Sequence, residues 1–292
     1  MTLFELKARI LIRMKISSKK TRSSTQIVNI NGVEIGGANF TVIAGPCSIE
    51  SHEQFLVTAE GVKANGASLL RGGIWKLRTS ASTFQGLGSD SFKFIRDVCK
   101  KTGLGLVSEV TDVRQIEDLH DVVDMYQVGS RNMHNYSLLK ELGKVNKPIL
   151  LKRGFAALIE EWVKAAEYIT NGGNSQVVLC ERGIRTFETA TRNTLDLNAV
   201  AYIKRNTSFP VIVDPSHAVG IRELVPDMAF AAAAAGADGI IVEVHPQPEE
   251  ALSDGQQALT LSDFSLMMKK LNRILSALDR PLKSSRPPEM SL

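Results

Sequence analysis

The sequence predicts an α/β chain closed into a (β/α)8 TIM barrel with a short N-terminal β-hairpin extension, and three observations carry that expectation. The first is a count: eight short β-rich apolar runs occur at 40–47, 67–72, 105–110, 122–128, 148–152, 176–180, 210–214 and 239–244. The second is the character of the intervening segments. In Ile159-Trp162-Val163-Ala166 and Leu224-Met228-Ala229, apolar residues recur three and four apart, the spacing of an amphipathic helix. The third is an absence: no Gly-x-Gly-x-x-Gly follows the first run, which removes the main support for an open, doubly wound sheet.

The elements follow in order. Residues 1–25 alternate Leu, Ile and Met with Lys and Arg and then turn Ser-rich. Arg9 and Arg13 break the apolar stretch, so a flexible or weakly helical extension is expected in preference to a targeting peptide. Residues 26–39 read as a hairpin around the turn signal Asn31-Gly32. The eight runs are too short and too continuously apolar for surface strands and fit buried parallel strands joined by helices. Residues 40–279 form the barrel in this reading, with 262–278 as its last helix and the Pro-, Ser- and Lys-bearing 280–292 as a loose tail.

Composition narrows the function classes. No apolar run approaches the roughly 18 residues that cross a bilayer, so a membrane span is not expected. Three scattered cysteines, Cys47, Cys99 and Cys180, read as thiols of a reducing compartment, which points to the cytoplasm. The net charge of +4 arises in the first two dozen residues, where Lys7, Arg9, Arg13, Lys15, Lys19, Lys20 and Arg22 face only Glu5. No aromatic platform accompanies that charge, so no nucleic acid is expected as a partner.

In such a barrel the active site lies at the carboxyl ends of the strands. At or just past the ends of the runs stand Cys47, Arg71, Glu109, Arg131, Lys152, Arg182, His217 and Glu243. Cys47, His217 and Glu243 offer a thiolate, an imidazole and a carboxylate, a set suited to Mn²⁺, Fe²⁺, Co²⁺ or Zn²⁺, and Asp254 in the loop after the last strand completes it. From position alone, a buried small Cys47 and a hydrogen-bonded His217 fit equally well. Arg71, Arg131, Lys152 and Arg182 on one rim imply a polyanionic ligand, because guanidinium forks match phosphate and carboxylate oxygens. Lys76-Leu-Arg-Thr-Ser adds cations and hydroxyls for a second phosphate. His52, His120 and His134 read as surface or structural groups, His245 as a neighbour of the pocket, and Cys99 and Cys180 as packing thiols.

At these residues the chain resembles the type I 3-deoxy-D-arabino-heptulosonate-7-phosphate (DAHP) synthases, in the short bacterial and archaeal branch close to the 3-deoxy-manno-octulosonate-8-phosphate synthases. The motifs run from Ala44-Gly-Pro-Cys-Ser-Ile-Glu-Ser through Leu70-Arg-Gly-Gly, Lys76-Leu-Arg-Thr-Ser, Phe84-Gln-Gly-Leu-Gly, Gly129-Ser-Arg-Asn-Met and Leu151-Lys-Arg-Gly. They continue with Cys180-Glu-Arg-Gly-Ile-Arg-Thr-Phe, Asp214-Pro-Ser-His and Val242-Glu-Val-His-Pro. The resemblance implies one divalent metal ion held by Cys47, His217, Glu243 and Asp254. It implies phosphoenolpyruvate gripped by Arg71, Lys76, Arg131, Lys152 and Arg182, with Arg78, Thr79 and Ser80 holding the phosphate of erythrose 4-phosphate. Asp214 is placed near the aldehyde and the metal. The implied reaction is the aldol-like condensation that opens the shikimate pathway, carried out by a homodimer or homotetramer.

Two departures stand out. The family usually has Lys-Pro-Arg-Thr where this chain has Leu77, which frees a loop that proline would stiffen. The octulosonate synthases resemble Lys-Ala-Asn-Arg-Ser-Ser there, so Arg78-Thr79 favours the four-carbon aldehyde over arabinose 5-phosphate. Relatives often carry an N-terminal regulatory or chorismate mutase domain, and residues 1–25 are too few for one, so feedback through such a domain is not expected. The expected chemistry is Lewis-acid activation of the aldehyde, with Lys152 as proton donor and Glu109 placing the water. A paralogue using another aldehyde and a non-catalytic, metabolite-sensing barrel are the alternatives.

Overall fold

Asn31 and Gly32 both adopt positive φ, 48° and 83°, which is the backbone of the tight turn that matches strand twist. They join β1 (Val28–Ile30) to β2 (Val33–Ile35) in an antiparallel hairpin. The computed structural model describes residues 25–77, 80 and 82–282, so the N-terminal extension and most of the expected tail lie outside the described residues. Arg280, Pro281 and Leu282, assigned to the tail above, are fastened to the barrel. Phe40 N–H donates to the Pro281 carbonyl at 3.0 Å, and the Arg280 guanidinium stands over the Phe40 ring.

Eight parallel strands close the barrel: β3 (Thr41–Gly45), β4 (Leu69–Arg71), β5 (Gly105–Glu109), β6 (Met125–Val128), β7 (Ile149–Lys152), β8 (Val177–Glu181), β9 (Val211–Val213) and β10 (Gly239–Glu243). Each pairs with the next, and β10 closes on β3 with Glu243 opposite Gly45. The fourth run begins later than expected. Val122, Val123 and Asp124 precede the strand, and the Asp124 carboxylate accepts the Leu106 N–H at 2.7 Å.

Strand side chains alternate between two environments. Ile43, Leu69, Val107, Met125, Leu150, Val178, Ile212 and Ile241 point into the barrel and form one apolar cluster with Val28, Ile30 and Ile35 of the hairpin. The hairpin therefore plugs the amino-terminal end. Neighbouring residues such as Val42, Leu70, Leu106, Leu151 and Val242 point outward and pack beneath the helices. Trp162 is the largest of the fully buried side chains there, and its indole donates to the Leu151 carbonyl at 3.1 Å.

The helices have side-chain starts. Ser51 caps α1 (His52–Ala64), Asn135 caps α4 (Tyr136–Leu142), Asp196 caps α6 (Leu197–Asn206) and Thr260 caps α9 (Leu261–Ala277), each accepting a backbone N–H of the first turn. The others are α2 (Phe92–Thr102), α3 (Gln115–His120), α5 (Ile159–Asn171), α7 (Pro215–Val219) and α8 (Val225–Ala234). No helix among the described residues is long and apolar enough to cross a membrane.

Candidate active site

Because strand residues alternate, the position two beyond each inward apolar residue also points inward, one layer nearer the carboxyl end. Leu69 is followed in this way by Arg71, Val107 by Glu109, Leu150 by Lys152, Ile212 by Asp214 and Ile241 by Glu243. A layer of charge is thus stacked directly on the apolar plug. Gly45 occupies the corresponding place on β3, where a Cβ would lie 2.2 Å from the Arg71 carbonyl oxygen, so the chain passes close and delivers Cys47.

Cys47, His217, Glu243 and Asp254 converge from β3, α7, β10 and the loop after β10, with their ligand atoms all within 4.8 Å of one another. Cys47 Sγ is 3.3 Å from Asp254 Oδ2, and His217 Nε2 is 3.3 Å from Glu243 Oε1 and 3.8 Å from Asp254 Oδ2. The set fits a divalent transition metal. Glu243 Oε1 is buried and has no hydrogen-bond partner, although Arg71 lies at ion-pair distance, 3.2 Å. The other oxygen, Oε2, accepts from the Gln257 amide at 2.5 Å, which fixes the carboxylate so that Oε1 faces His217. Asp254 adopts φ 52°, a left-handed conformation that aspartate tolerates.

Asp214 organises two of the functional groups. Its Oδ1 accepts the His217 backbone N–H and caps α7, while Oδ2 meets Lys152 Nζ at 2.5 Å. His217 Nδ1 stands 2.8 Å from the same oxygen in an off-axis contact. Burial opposes ionisation of Asp214, but His217 and the Lys152 ammonium overcome it and hold the carboxyl well below the usual range. The expectation put Asp214 near the aldehyde. It is fully buried and in contact with both Lys152 and His217.

Burial, reinforced by the negative charge of Glu243, pushes the Cys47 thiol up to about 12, and burial lowers the His217 imidazole below its ordinary value. Near neutral pH Cys47 therefore carries its proton and His217 does not. A metal taking the thiolate must release that single proton. Metal affinity is expected to rise about tenfold per pH unit between roughly pH 7 and 9, with the Cys47 thiol as the group that titrates. Competition with a chelator across that range measures it, and a flat profile would exclude the thiolate as a ligand.

Above the quartet opens a cavity of about 310 Å³. Arg71, Lys76, Glu109, Arg131, Lys152 and Arg182 come together on its lining, with Ser80 at the rim. Lys76 Nζ reaches Cys47 Sγ at 3.1 Å and so joins the cavity to the quartet. Leu77 is half-exposed at the mouth, where its carbonyl accepts from Arg131 at 3.4 Å. Arg78 and Thr79 lie outside the described residues. Cys180 is buried in the barrel interior, His52, His120 and His134 are exposed, and His245 pairs with Glu50 at 3.4 Å.

Three lining residues escaped the sequence reading. Gln127 sits on β6 two residues beyond Met125, so the alternation rule could have found it. Phe155 and Arg192 also line the cavity but come from loops. Arg192 donates to Gln257 at 2.8 Å and lies 3.6 Å from Asp254, linking the loop after β8 to the loop that carries Asp254. Only Cys180-Glu-Arg-Gly-Ile-Arg-Thr-Phe marked that loop as informative.

A closed barrel with a potential metal quartet and a polycationic cavity at the carboxyl ends of its strands is the layout of a (β/α)8-barrel enzyme acting on anionic substrates. Residues 13–278 match the model of the DAHP synthetase I family, and the chain belongs to that family. It is 45% identical over 270 residues to the phospho-2-dehydro-3-deoxyheptonate aldolase of Thermotoga maritima, spanning 92% of this chain and 80% of that protein. A crystal structure of that Thermotoga maritima enzyme, described as a DAHP synthase, matches with a TM-score of 0.86 at 44% identity, over 88% of this chain and 76% of that one. A truncated form of the same synthase gives 0.83 at 43% identity, over 88% and 95%. A 2-dehydro-3-deoxyphosphooctonate aldolase of Geobacter sulfurreducens is 31% identical over 273 residues, 86% of this chain and 98% of that protein. The resemblance read from the motifs is thus borne out.

Proposed function

We propose that this chain is a DAHP synthase that condenses phosphoenolpyruvate with erythrose 4-phosphate and releases inorganic phosphate. The observation that carries the reading is the cavity of cations set directly over the Cys47, His217, Glu243 and Asp254 quartet. Identity of 45% to a heptonate aldolase against 31% to an octonate aldolase supports the four-carbon aldehyde. The quartet would hold Mn²⁺, Fe²⁺, Co²⁺ or Zn²⁺, which supplies Lewis-acid chemistry at an aldehyde oxygen.

The chain's own groups do the rest. Arg71, Lys76, Arg131, Lys152 and Arg182 hold the carboxylate and phosphate of phosphoenolpyruvate, and Arg78, Thr79 and Ser80 bind the aldehyde's phosphate at the mouth. Together they offset the repulsion between two polyanions and set the enol carbon against the aldehyde. As a bond forms from C3 of phosphoenolpyruvate to the aldehyde carbon, the carbonyl π pair moves onto its oxygen, Lys152 Nζ gives that oxygen a proton, and C2 is left as a cation. Water held by Glu109 adds at the C2 cation, the C2–O bond to phosphate breaks as the C2 ketone forms, and of the two water protons one leaves with the phosphate and the other restores the Lys152 ammonium. The reading includes a cytoplasmic location and assembly into a homodimer or homotetramer.

Phosphate release from phosphoenolpyruvate, followed with erythrose 4-phosphate and with arabinose 5-phosphate in parallel, tests the assignment. Faster release with the four-carbon aldehyde is expected. Equal or faster release with arabinose 5-phosphate overturns the aldehyde assignment, and no release with either aldehyde leaves a sensor of phosphorylated metabolites.

A further inference from the structure

Half of the six cations lining the cavity are partnered by an acid: Arg71 by Glu243 at 3.2 Å, Lys152 by Asp214 at 2.5 Å and Arg192 by Asp254 at 3.6 Å. Arg131 and Arg182 on the cavity lining, and the exposed Arg185 near them, differ. Among the described residues no carboxylate makes an ion pair with Arg131, Arg182 or Arg185. They share an aromatic ring instead. The Cζ atoms of Arg182 and Arg185 each lie 4.8 Å from the centre of the Phe155 ring, and that of Arg131 lies 5.9 Å away. The two loops concerned are tied through the backbone, since Arg185 N–H donates to the Phe155 carbonyl at 2.7 Å.

The choice of ring over acid has a chemical consequence. A carboxylate fixes an arginine but cancels its charge and must be displaced by an incoming anion. The face of a benzene ring attracts a guanidinium through its quadrupole and leaves the positive charge intact. Three like charges held this close repel one another, and Arg182 is also 2% exposed, so burial lowers its pKa from the ordinary value. Such a cluster needs a scaffold that is not itself an anion, and it is relieved by a ligand carrying more than one negative charge on a single centre.

We propose that Phe155 is a positioning residue that holds Arg131, Arg182 and Arg185 uncompensated for one phosphoryl dianion, with Arg185 as a third arm behind the two that the motifs identify. The proposal rests on the phosphoenolpyruvate reading above and extends it from the contacting groups to the surface that aims them.

Calorimetric titration of the metal-loaded protein with phosphoenolpyruvate, and separately with inorganic phosphate, tests it. The variants are Phe155→Leu, Phe155→Tyr and a series carrying mono-, di- and trifluorophenylalanine at 155. Fluorine keeps the ring's shape while draining the negative potential from its face. Phe155→Leu is expected to weaken binding of both anions about tenfold, Phe155→Tyr to stay close to wild type, and the fluorinated series to weaken stepwise. Unchanged affinity in Phe155→Leu overturns the proposal. So does a Leu defect with a flat fluorinated series, which marks packing alone. Wild-type protein that binds phosphate but not phosphoenolpyruvate contradicts the substrate assignment and leaves the phosphate titrations to judge Phe155. Binding of neither anion overturns the clamp itself.

Discussion

Cys47→Ser is expected to yield a folded protein that purifies without its divalent ion and turns over roughly a thousandfold more slowly, the loss that several kcal/mol of transition-state stabilisation represents. A serine hydroxyl does not ionise in the working pH range and is a hard, weak donor to a late transition metal. The substitution is conservative in volume, and Ser253 Oγ at 3.1 Å remains available as a hydrogen-bond partner, so the fold should persist. Metal content by elemental analysis, a melting curve and the phosphate-release rate belong together. Full occupancy with an undiminished rate would remove Cys47 from the site. Chelation of the wild-type protein should mimic the variant, with activity returning on addition of Mn²⁺.

Lys152→Met is the second large effect. Methionine retains the unbranched stem and deletes the ammonium, so under the proposed mechanism the proton destined for the former carbonyl oxygen would lose its source. A drop in kcat of about a thousandfold is expected, within the range of general acid catalysis. The single variant has a side effect. It strips Asp214 of its 2.5 Å partner at a fully buried position, which costs about 3–5 kcal/mol of stability. The double variant Lys152→Met/Asp214→Asn removes the stranded charge and is expected to regain stability without regaining rate. Recovery of kcat to within about tenfold of wild type in the double variant would assign Lys152 a structural role and send the search for the proton donor elsewhere.

The barrel was legible because β-strands repeat every two residues and helices every three to four, and eight such alternations leave few ways to fold. The convergence of the candidate metal quartet was legible for a related reason. Cys47, His217 and Glu243 stand where their strands or the turns after them reach the carboxyl end, and fold geometry alone gathers them. Arg71, Glu109 and Lys152 obey the same rule. What the pattern could not give was the contribution of loops. Phe155, Arg185 and Arg192 belong to segments whose paths are set by contacts with one another, such as the Arg185 N–H on the Phe155 carbonyl, and no periodicity encodes those. The depth of Asp214 was not legible either. Its depth depends on whether Lys152 and His217 fold over it, which is a matter of side-chain packing and not of strand position.

The closing of β10 on β3 joins the two ends of the barrel sequence, Glu243 opposite Gly45. That pairing has the greatest sequence separation in the sheet, so it carries the heaviest loop-closure entropy and the greatest weight in contact order. Cys47 leaves one side of this seam, while Glu243 and Asp254 belong to the other. Any ion that gathers the four donors therefore clasps the first barrel strand to the last. Its binding free energy adds to the unfolding free energy by mass action, and it is applied at the pairing with the longest intervening chain.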